Sequence, residues 1–278
     1  MAKLRKLRVA LAIAEGGAIA NAARQLGLSQ PAVSRALQSL EAELGITLFH
    51  RSSRRLAASE AGLLLVRRIG RAQEQLRIAE LELPAMSGEA ARSRPSLTIH
   101  AADHEFAALL AVAAHGTVSA GARHAGLSQP ALNRSLRALE NRAGLPLFHR
   151  TTAGMRLTPS GEALLRRVKL CFSEIRQGLE EVEILKGATG GQIRIGALPL
   201  TRVRLAPVAV ERLLMRYPEA EIAIVDGTYG SLLMALRQGD IDVLVGTIRR
   251  PAPVEGIVSE ELFEDDVVMV VGARHPLA

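Results

Sequence analysis

Two short segments contain the side chains whose types and spacing could do chemistry. Each reads Ser, Gln, Pro, Ala, beginning at Ser29 and at Ser128, and each is followed by an arginine, Arg35 or Arg134. A glutamine amide can form two hydrogen bonds with the edge of an adenine, and an arginine can do so with guanine or bind a phosphate. A serine can cap a helix whose amino end faces a phosphate. These residue types favour recognition of nucleic acid by hydrogen bonding over bond-making chemistry.

An enzyme is the main competing class, and few residues support it. His100 and His104 have the spacing that could place two imidazoles on one helix face for zinc, with His115 and His124 nearby, but no Glu or Cys completes a zinc-binding pattern. The glycines from Gly187 to Gly191 lack the Lys and Ser or Thr of a phosphate-binding loop. We therefore expect a protein that is not an enzyme and has no metal and no cofactor.

The two segments belong to an internal repeat. An offset of 99 residues aligns GLSQPA at Gly27 with GLSQPA at Gly126, and LFHR at Leu48 with LFHR at Leu147, without a gap. From Ala14 to Arg51, 19 of 38 positions are identical. Such self-similarity predicts a duplicated domain.

The elements that position these side chains follow from the pattern of the first copy. Apolar spacing predicts a helix over residues 5–14, a second over Ile19 to Leu26 and, after a break at Gly27, a third that Ser29 caps and Gly45 ends. Helix, tight turn and helix form an arrangement whose last helix enters the major groove of DNA. The buried face of that helix is predicted to consist of Val33, Leu37, Leu40 and Leu44.

A basic hairpin is predicted after each third helix. Residues Ile46 to Ser59 offer two short extended stretches around a tip from His50 to Arg55, and the second copy has its tip from His149 to Thr152. A winged helix-turn-helix places such a hairpin against the DNA backbone or the minor groove.

Composition and charge agree with duplex DNA as a partner. The 278 residues are 48% hydrophobic and 23% charged, which excludes wholesale disorder, and the net charge of +7 favours an anionic partner. Aromatic residues make up 3%, too few for the stacking surfaces that bind single strands. Cys171 is the one cysteine, and no run of 18 or more apolar residues free of charge occurs. We expect a soluble, cytoplasmic protein with no membrane partner.

The sequence from Ala22 to Arg51 resembles the N-terminal domain of LysR-type transcriptional regulators. The second copy continues the resemblance through Arg156 to Leu165, the family's exit from the wing and entry into a dimerising linker helix. Asn133 stands where the family has Ser, Gly121 and Ala125 weaken the second helix of the second copy, and Arg54 to Glu60 is an unusual wing exit. Most family members carry one such domain, so which copy reads the operator stays open.

The resemblance and the residue types together predict the DNA contacts. In the first copy they are Ser29, Gln30, Pro31, Ser34 and Arg35 on the recognition helix, with Arg51 and Arg54 in the wing. In the second copy they are Ser128, Gln129, Pro130, Asn133 and Arg134, with Arg150 in the wing.

Each copy is followed by a long apolar stripe. In the second copy it runs from Gly161 to Lys186 and includes Cys171 as a packing residue; in the first it is shorter, Gly62 to Leu83, and ends at Pro84. In the resembled family this helix pairs with its copy in a second subunit. The sequence leaves two arrangements open: a homo-oligomer, or an intrachain pseudo-dimer in which the two helices pair within one chain.

The last third of the chain changes period and becomes acidic, with a net charge of −3 over residues 191–278. Short strands from Gln192, Glu221 and Ile241 alternate with helices, which predicts an α/β sheet. Such sheets bind ligands outside the carboxyl ends of their strands. The predicted effector-binding residues are Leu198, Thr201, Arg202, Thr228, Tyr229 and Ser231.

Thr228 stands at a helix start that would suit an anionic small molecule; the alternative is that Thr201, Thr228 and Ser231 only cap helices. This segment resembles the first half of the family's effector-binding domain, with the turn Gly239 to Asp242 before the third strand. Within the family it resembles the branch that regulates galactose-binding-protein and aromatic-acid catabolism genes. Because family members continue past this length into a second lobe, we expect an incomplete, C-terminally truncated effector domain.

The expected fold class is multidomain: two all-α winged helix-turn-helix domains with long linker helices, then an α/β partial domain like a type 2 periplasmic binding protein. The expected boundaries are 1–60 for the first winged domain, 61–83 for its linker helix, 84–96 for a flexible linker, 97–158 for the second winged domain, 159–187 for its linker helix and 192–278 for the partial effector domain. The predicted function is sequence-specific regulation of transcription through double-stranded DNA. The alternative is a dimerisation-only protein, a decoy or relic that has lost specific DNA reading.

Overall fold

The computed structural model describes residues 4–51, 56–86, 97–152, 154–249, 256–264 and 270–276. Within these residues the same order of elements occurs twice before a separate α/β unit. Unit 1 contains α1 (Leu4–Gly16), α2 (Ile19–Leu26), α3 (Gln30–Leu44), β1 (Phe49–Arg51) and β2 (Leu56–Ala58), followed by the long helix α4 (Glu60–Ala85). Unit 2 contains α5 (Leu97–His100), α6 (Asp103–His115), α7 (Val118–His124), α8 (Gln129–Ala143), β3 (Phe148–Thr151) and β4 (Gly154–Leu157), followed by the long helix α9 (Pro159–Leu185).

Both units bury the faces that the apolar spacing predicts. In α3, Val33 and Leu40 are fully buried, and in α8 the equivalent Leu132 and Leu139 are as well. Two antiparallel strands complete each unit, so neither is built of helices alone. The three helices thus share one core, and the strands extend it at one side.

Each of the two units is stabilised internally by the same local contacts. A glutamate of the third helix, Glu41 or Glu140, accepts hydrogen bonds from the backbone that enters the first strand, at 2.7 Å from the Leu48 amide and 2.9 Å from the Leu147 amide. A β-carbon on Gly62 would lie 2.1 Å from the Leu48 carbonyl oxygen, and one on Gly161 would lie 2.0 Å from the Leu147 carbonyl oxygen. The repeat therefore preserves residues that the shared geometry requires.

The second helix of unit 2 corrects one expectation. The sequence predicts only that Gly121 weakens α7, yet this glycine lies against α6, and a β-carbon there would be 3.1 Å from the Ala111 backbone. Gly121 is buried, and α7 is one residue shorter than α2. The glycine thus permits close packing of two helices as well as costing helix propensity.

The long helices α4 and α9 pack against each other in antiparallel orientation. The predicted first helix is too short: α4 has 26 residues against 27 in α9, and Pro84 lies inside its last turn instead of ending it. The buried stripe of α4 consists of Ala61, Gly62, Leu65, Ile69, Ala72, Leu76, Ala79 and Leu83. The buried stripe of α9 consists of Ser160, Gly161, Leu164, Leu165, Val168, Cys171, Ile175, Gly178 and Val182.

The α/β unit contains a parallel three-stranded sheet of order β6, β5, β7. Its elements are β5 (Gln192–Ala197), α10 (Pro199–Val203), α11 (Leu205–Arg216), β6 (Glu221–Asp226), α12 (Tyr229–Gln238) and β7 (Val243–Val245). The short helix α10 contains Thr201 and Arg202, two of the predicted effector-binding residues. In the described part of the chain no single helix is long and apolar enough to cross a membrane. Helices α6 and α7 reach that length and apolar character only when they are taken together, and the chain bends by 117° between them.

Candidate nucleic-acid interface and effector edge

The start of α3 presents the predicted contact residues of unit 1 on its surface. Ser29 caps the helix, with its Oγ accepting from the Ala32 amide at 3.3 Å. Gln30, Pro31 and Arg35 are exposed, and Ser34 is half-buried. A shallow concavity against α2 is lined by Ile19, Gln30, Pro31 and Ser34. The helix start therefore offers hydrogen-bonding side chains to one approaching surface.

The start of α8 repeats this arrangement with one added bond. Ser128 caps the helix through the Ala131 amide at 3.3 Å, as Ser29 does in unit 1. The Gln129 amide is hydrogen-bonded to Ser119 Oγ at 2.5 Å. The residue equivalent to Ser119 in unit 1 is Ala20, so Gln30 has no such partner. Pro130 and Arg134 are exposed and Asn133 is half-buried, the same pattern as in α3.

The wings are described up to their tips. His50 is paired with Ala57, and Arg51 with Leu56, although the Arg51 side chain lies outside the described residues, as does the predicted contact Arg54. In unit 2 the exposed Arg150 lies opposite Met155 in the neighbouring strand, and the antiparallel pairing of the two strands extends one residue pair further toward the tip. Strand β2 is bonded to the turn after α1 through the Leu56 amide and the Gly17 carbonyl, which are 3.1 Å apart. This bond fixes the wing to the body of its unit.

A reciprocal set of ion pairs joins α4 and α9. Arg68 of α4 contacts Glu181 at 2.5 Å and Glu174 at 2.8 Å on α9. Arg167, which is Arg68 shifted by the repeat offset, contacts Glu82, which is Glu181 shifted by the same offset.

The amide of Gln75, the equivalent of Glu174, completes the set at 3.0 Å from the Arg167 guanidinium. Each of these contacts between α4 and α9 thus occurs twice, because the equivalent residues of the other copy of the repeat form the same contact in the opposite direction. This relation characterises a two-fold interface.

These pairs shift the protonation equilibria of their members. The hydrogen bond that Arg68 donates to Glu181 raises the pKa of Arg68, and the same bond lowers the pKa of Glu181. The hydrogen bond from Arg167 lowers the pKa of Glu82 in the same way. Both glutamates are therefore charged at neutral pH, and each faces an arginine of the opposite helix.

Unit 1 also contacts the entrance of unit 2. The Arg8 guanidinium donates to the carbonyls of Ile99 at 2.8 Å and Ala101 at 3.1 Å, and the Leu4 amide donates to Asp103 Oδ1 at 3.1 Å. Burial lowers the pKa of Arg8, while Asp103 opposes that shift. Sequence reasoning does not identify Arg8, because its partners lie about 90 residues away along the chain.

The predicted effector residues gather at the carboxyl edge of the sheet. The Thr201 hydroxyl lies 2.9 Å from the Leu198 carbonyl oxygen and 3.1 Å from that of Val245, and Arg202 forms an ion pair with Asp226. On the other side of the sheet centre, Thr228 Oγ1 accepts from the Ser231 amide at 3.2 Å. Thr228 therefore does cap α12, and Thr201 bonds backbone carbonyls at the end of β7.

The sequence does not predict one cation at this edge. The Arg249 guanidinium lies over the Tyr229 ring, 4.1 Å from its centroid. In the sequence, Arg249 is recognisable as a basic residue shortly after the third strand. The edge thus carries Arg202 and Arg249 near the amino end of α12.

The histidines do not form a zinc site in the described residues. His100 ends α5 and His104 belongs to α6, so the two do not share one helix face. His115 and His124 form a ring contact with centroids 4.4 Å apart. No group of three or more potential metal ligands occurs among the residues that the structure describes.

The α/β unit is attached to α9 by charged contacts that sequence reasoning also misses. Arg176 contacts Asp242 at 2.7 Å, and Lys169 contacts Asp240 at 2.5 Å. Asp242 additionally accepts from the Arg194 amide at 2.9 Å, which connects the contact to β5. The turn before β7 therefore joins the sheet to the helix pair.

Comparisons with known proteins agree with this architecture. The family model described as bacterial regulatory helix-turn-helix protein, lysR family, matches residues 4–63 and again 104–162, and the LysR substrate binding domain matches residues 186–278. The chain is 30% identical to the transcriptional regulator GalR of Pseudomonas putida over 99% of this chain and 67% of GalR. It is 35% identical to PcaQ of Agrobacterium fabrum over 54% of this chain and 49% of PcaQ.

The chain thus spans 67% of the length of GalR and about half that of PcaQ. Among solved structures, ArgP from Mycobacterium tuberculosis shares 22% identity at a TM-score of 0.42, over 54% of this chain and 49% of that one. Both GalR and PcaQ are described as transcriptional regulators with a helix-turn-helix.

Proposed function

Because this chain belongs to the LysR family of DNA-binding transcriptional regulators, we propose that it binds its operator as an intrachain pseudo-dimer, with α3 and α8 as two recognition helices. The proposed base and phosphate contacts are Ser29, Gln30, Pro31, Ser34 and Arg35 of unit 1 and Ser128, Gln129, Pro130, Asn133 and Arg134 of unit 2. Arg51, Arg54 and Arg150 are the proposed wing contacts.

The observation that carries the proposal is the reciprocal pairing of Arg68 with Glu181 and of Arg167 with Glu82. A symmetric dimer interface is built from two identical surfaces. Here the repeat supplies both surfaces from one chain, and the buried stripes of α4 and α9 lie against each other along their length. The stripe that the sequence leaves in need of a partner thus has one within the chain.

The antiparallel pairing places the two wings at opposite ends of the helix pair. Each long helix begins directly after the wing of its own unit, at Glu60 and at Pro159. At 1.5 Å per residue, a helix of this length spans about 39 Å. Half-sites read by a two-fold protein lie roughly 34–36 Å apart, one turn of DNA. This length supports two recognition helices acting on one face of a duplex.

Light scattering and footprinting of the purified chain test the proposal together. We expect a particle with the mass of one chain that protects two half-sites with centres about 10 base pairs, or a multiple of that, apart. A species that forms only with two chains, and from which unit 1 can be removed without loss of protection, would contradict the pseudo-dimer. Binding without an enriched sequence, which vanishes as salt rises, would instead support the decoy alternative.

Substitutions separate specific from electrostatic binding. Gln30→Ala with Arg35→Ala, and Gln129→Ala with Arg134→Ala, should each weaken operator binding by about 1–3 kcal/mol for every base-specific hydrogen-bonding side chain that is removed. Arg77→Ala is the matched control, because it removes an exposed positive charge that pairs with Glu74 on α4, away from both recognition helices. The control should leave the selected sequence unchanged.

We further propose that the carboxyl edge of the sheet binds a small anionic effector. Leu198, Thr201, Arg202, Thr228, Tyr229 and Ser231 lie at this edge, and Arg249 adds positive charge beside the amino end of α12, where Arg202 is paired with Asp226. A thermal-shift screen with small carboxylates and phosphates tests this. Stabilisation by one of them should be lost in Arg249→Gln, and unchanged stabilisation in that variant would contradict the assignment. A regulator of this kind would act in the cytoplasm.

A further inference from the structure

The two recognition helices differ at the positions that face outward. Ser34 of α3 corresponds to Asn133 of α8, and the exposed Gln38 corresponds to the exposed Arg137. Ser34 and Asn133 are both half-buried, so the exposure of each position is preserved while its chemistry changes. A hydroxyl and an amide offer different donors and acceptors to a base edge, and arginine favours guanine where glutamine favours adenine.

The shared glutamines also differ, in how their amides are held. Gln129 is bonded to Ser119 Oγ at 2.5 Å, which fixes the orientation of its amide. Gln30 has no hydrogen-bond partner for its side chain among the described residues, because Ala20 takes the place of Ser119. One glutamine is therefore preorganised, and the other can rotate to suit more than one base.

From these differences we propose that the two units read different half-site sequences in a fixed order, so that the operator has a direction. In a dimer of identical chains the two recognition helices are the same, and the favoured operator is an inverted repeat. Here the two recognition helices belong to one chain and are not identical. Asn133 and Arg137 set the base preference of unit 2, Ser34 and Gln38 set that of unit 1, and Ser119 is a positioning residue for Gln129. This inference rests on the proposed pseudo-dimer.

Selection of duplexes from random DNA by the full chain provides the test. We expect the wild-type chain to enrich two half-sites with reversed orientation but different bases at the positions facing residues 34, 38, 133 and 137. Giving the second half-site the bases of the first at these positions, so that the two become identical, should weaken binding by at least roughly tenfold, since mismatches at several base pairs add.

Paired substitutions assign the difference to these residues. Asn133→Ser with Arg137→Gln should make the second half-site preference converge on the first, so that a nearly perfect inverted repeat is enriched. The reverse variant, Ser34→Asn with Gln38→Arg, should move the first half-site toward the second. Both variants place at each position the residue that the other unit already accommodates there, so thermal unfolding should match that of the wild-type chain.

The proposed role of Ser119 is tested by measuring the base preference opposite Gln129. Ser119→Ala should broaden the base preference opposite Gln129 without changing the thermal midpoint, and Ser119→Thr should restore it because the hydroxyl is kept. Ala20→Ser should narrow the preference opposite Gln30. If Ser119 had only a structural role, its substitution would change the thermal midpoint and leave the base preference opposite Gln129 unchanged.

The possible results separate this inference from the proposed function. Enrichment of a perfect inverted repeat by the wild-type chain, or half-site preferences that do not move in the paired variants, would overturn the inference and leave the pseudo-dimer intact. Absence of any enriched sequence would overturn both.

Discussion

Two glycines at equivalent positions show how single residues maintain each unit. Gly62 and Gly161 lie in the first turn of α4 and α9, where the helix passes the backbone that enters the wing. A β-carbon at either position would overlap a backbone carbonyl oxygen, so the backbone would have to move. The same requirement, met twice, explains why the glycine occurs in both copies of the repeat.

Gly62→Ala is expected to destabilise the chain by about 1–3 kcal/mol, the usual cost of overpacking a rigid contact. Gly70→Ala is the matched control, because it lies in the same helix with nothing within 4 Å of an added β-carbon. That change should stabilise by about 0.5–1 kcal/mol through helix propensity. Urea unfolding of both variants measures the difference, and equal effects would contradict the steric argument.

The thiol of the single cysteine, Cys171, is predicted to be unreactive in the folded chain. Burial raises the pKa of the Cys171 thiol to about 12, and the thiolate is the reactive form. Alkylation of the folded chain at about pH 8 should therefore be far slower than in denaturing urea. Because the folded pKa lies above the ordinary value of 9.0, this group costs stability only as pH rises from about 9 toward 12. Rapid labelling of the folded chain would indicate an accessible thiol instead.

At the scale of elements, the pairing of α4 with α9 depends on charge as well as on apolar packing. Glu82 and Glu181 have lowered pKa values because each accepts a hydrogen bond from an arginine of the other helix. A carboxylate with a lowered folded pKa stabilises the fold above its unfolded pKa, and this stabilisation is lost as pH falls through the folded value. Acid should therefore weaken the helix pair.

Glu82→Gln should reduce the free energy of unfolding at neutral pH by about 1–3 kcal/mol, because it leaves Arg167 without a charged partner. Glu181→Gln should reduce it by less, because Arg68 keeps its ion pair with Glu174. The double variant should also lose stability less steeply than the wild-type chain below the ordinary glutamate pKa of 4.5. Glu74→Gln serves as the control, since its ion pair with Arg77 lies within one helix and is exposed. A larger loss of stability in Glu181→Gln than in Glu82→Gln would contradict this assignment of the ion pairs.

The helices of the units could be predicted from the sequence because their signals are local. Ser29 and Gly45 determine the ends of α3 through a cap and a left-handed turn, and both residues act within a few positions of themselves. The extent of α4 could not be predicted in this way. Pro84 is an ordinary helix terminator, but α4 continues through it to Ala85, and the neighbouring Leu83 is buried.

The candidate DNA contacts are accessible to sequence reasoning for the same reason, since they lie within one helix. The bond between Gln129 and Ser119, the stacking of Arg249 on Tyr229 and the pairing of Arg68 with Glu181 are not. Each joins residues that are at least 10 positions apart and converge only through tertiary packing. Composition and periodicity carry no information about such pairs.

At the scale of the whole molecule, the charged attachment of the α/β unit is made to one of the two long helices in the described residues. Arg176 and Lys169 of α9 hold Asp242 and Asp240 in the turn before β7. The repeat offset puts Arg77 and Gly70 at the equivalent positions of α4, where Arg77 pairs with Glu74 of its own helix. These ion pairs therefore connect the sheet to α9, and the ion pairs between the two long helices connect α9 to α4.

Asp240→Asn with Asp242→Asn should loosen this attachment while leaving the helix pair folded. The double change removes the two ion pairs between α9 and the sheet, although Asn at 242 can still accept from the Arg194 amide. Hydrogen exchange should become faster in α12 and β7 and stay unchanged in α3 and α8, and trypsin should cut faster after Lys186. Asp226→Asn is the control, because its ion pair with Arg202 lies at the opposite, exposed edge of the sheet unit. Equal exchange in the two variants would mean that apolar contacts, rather than these charges, attach the sheet to α9.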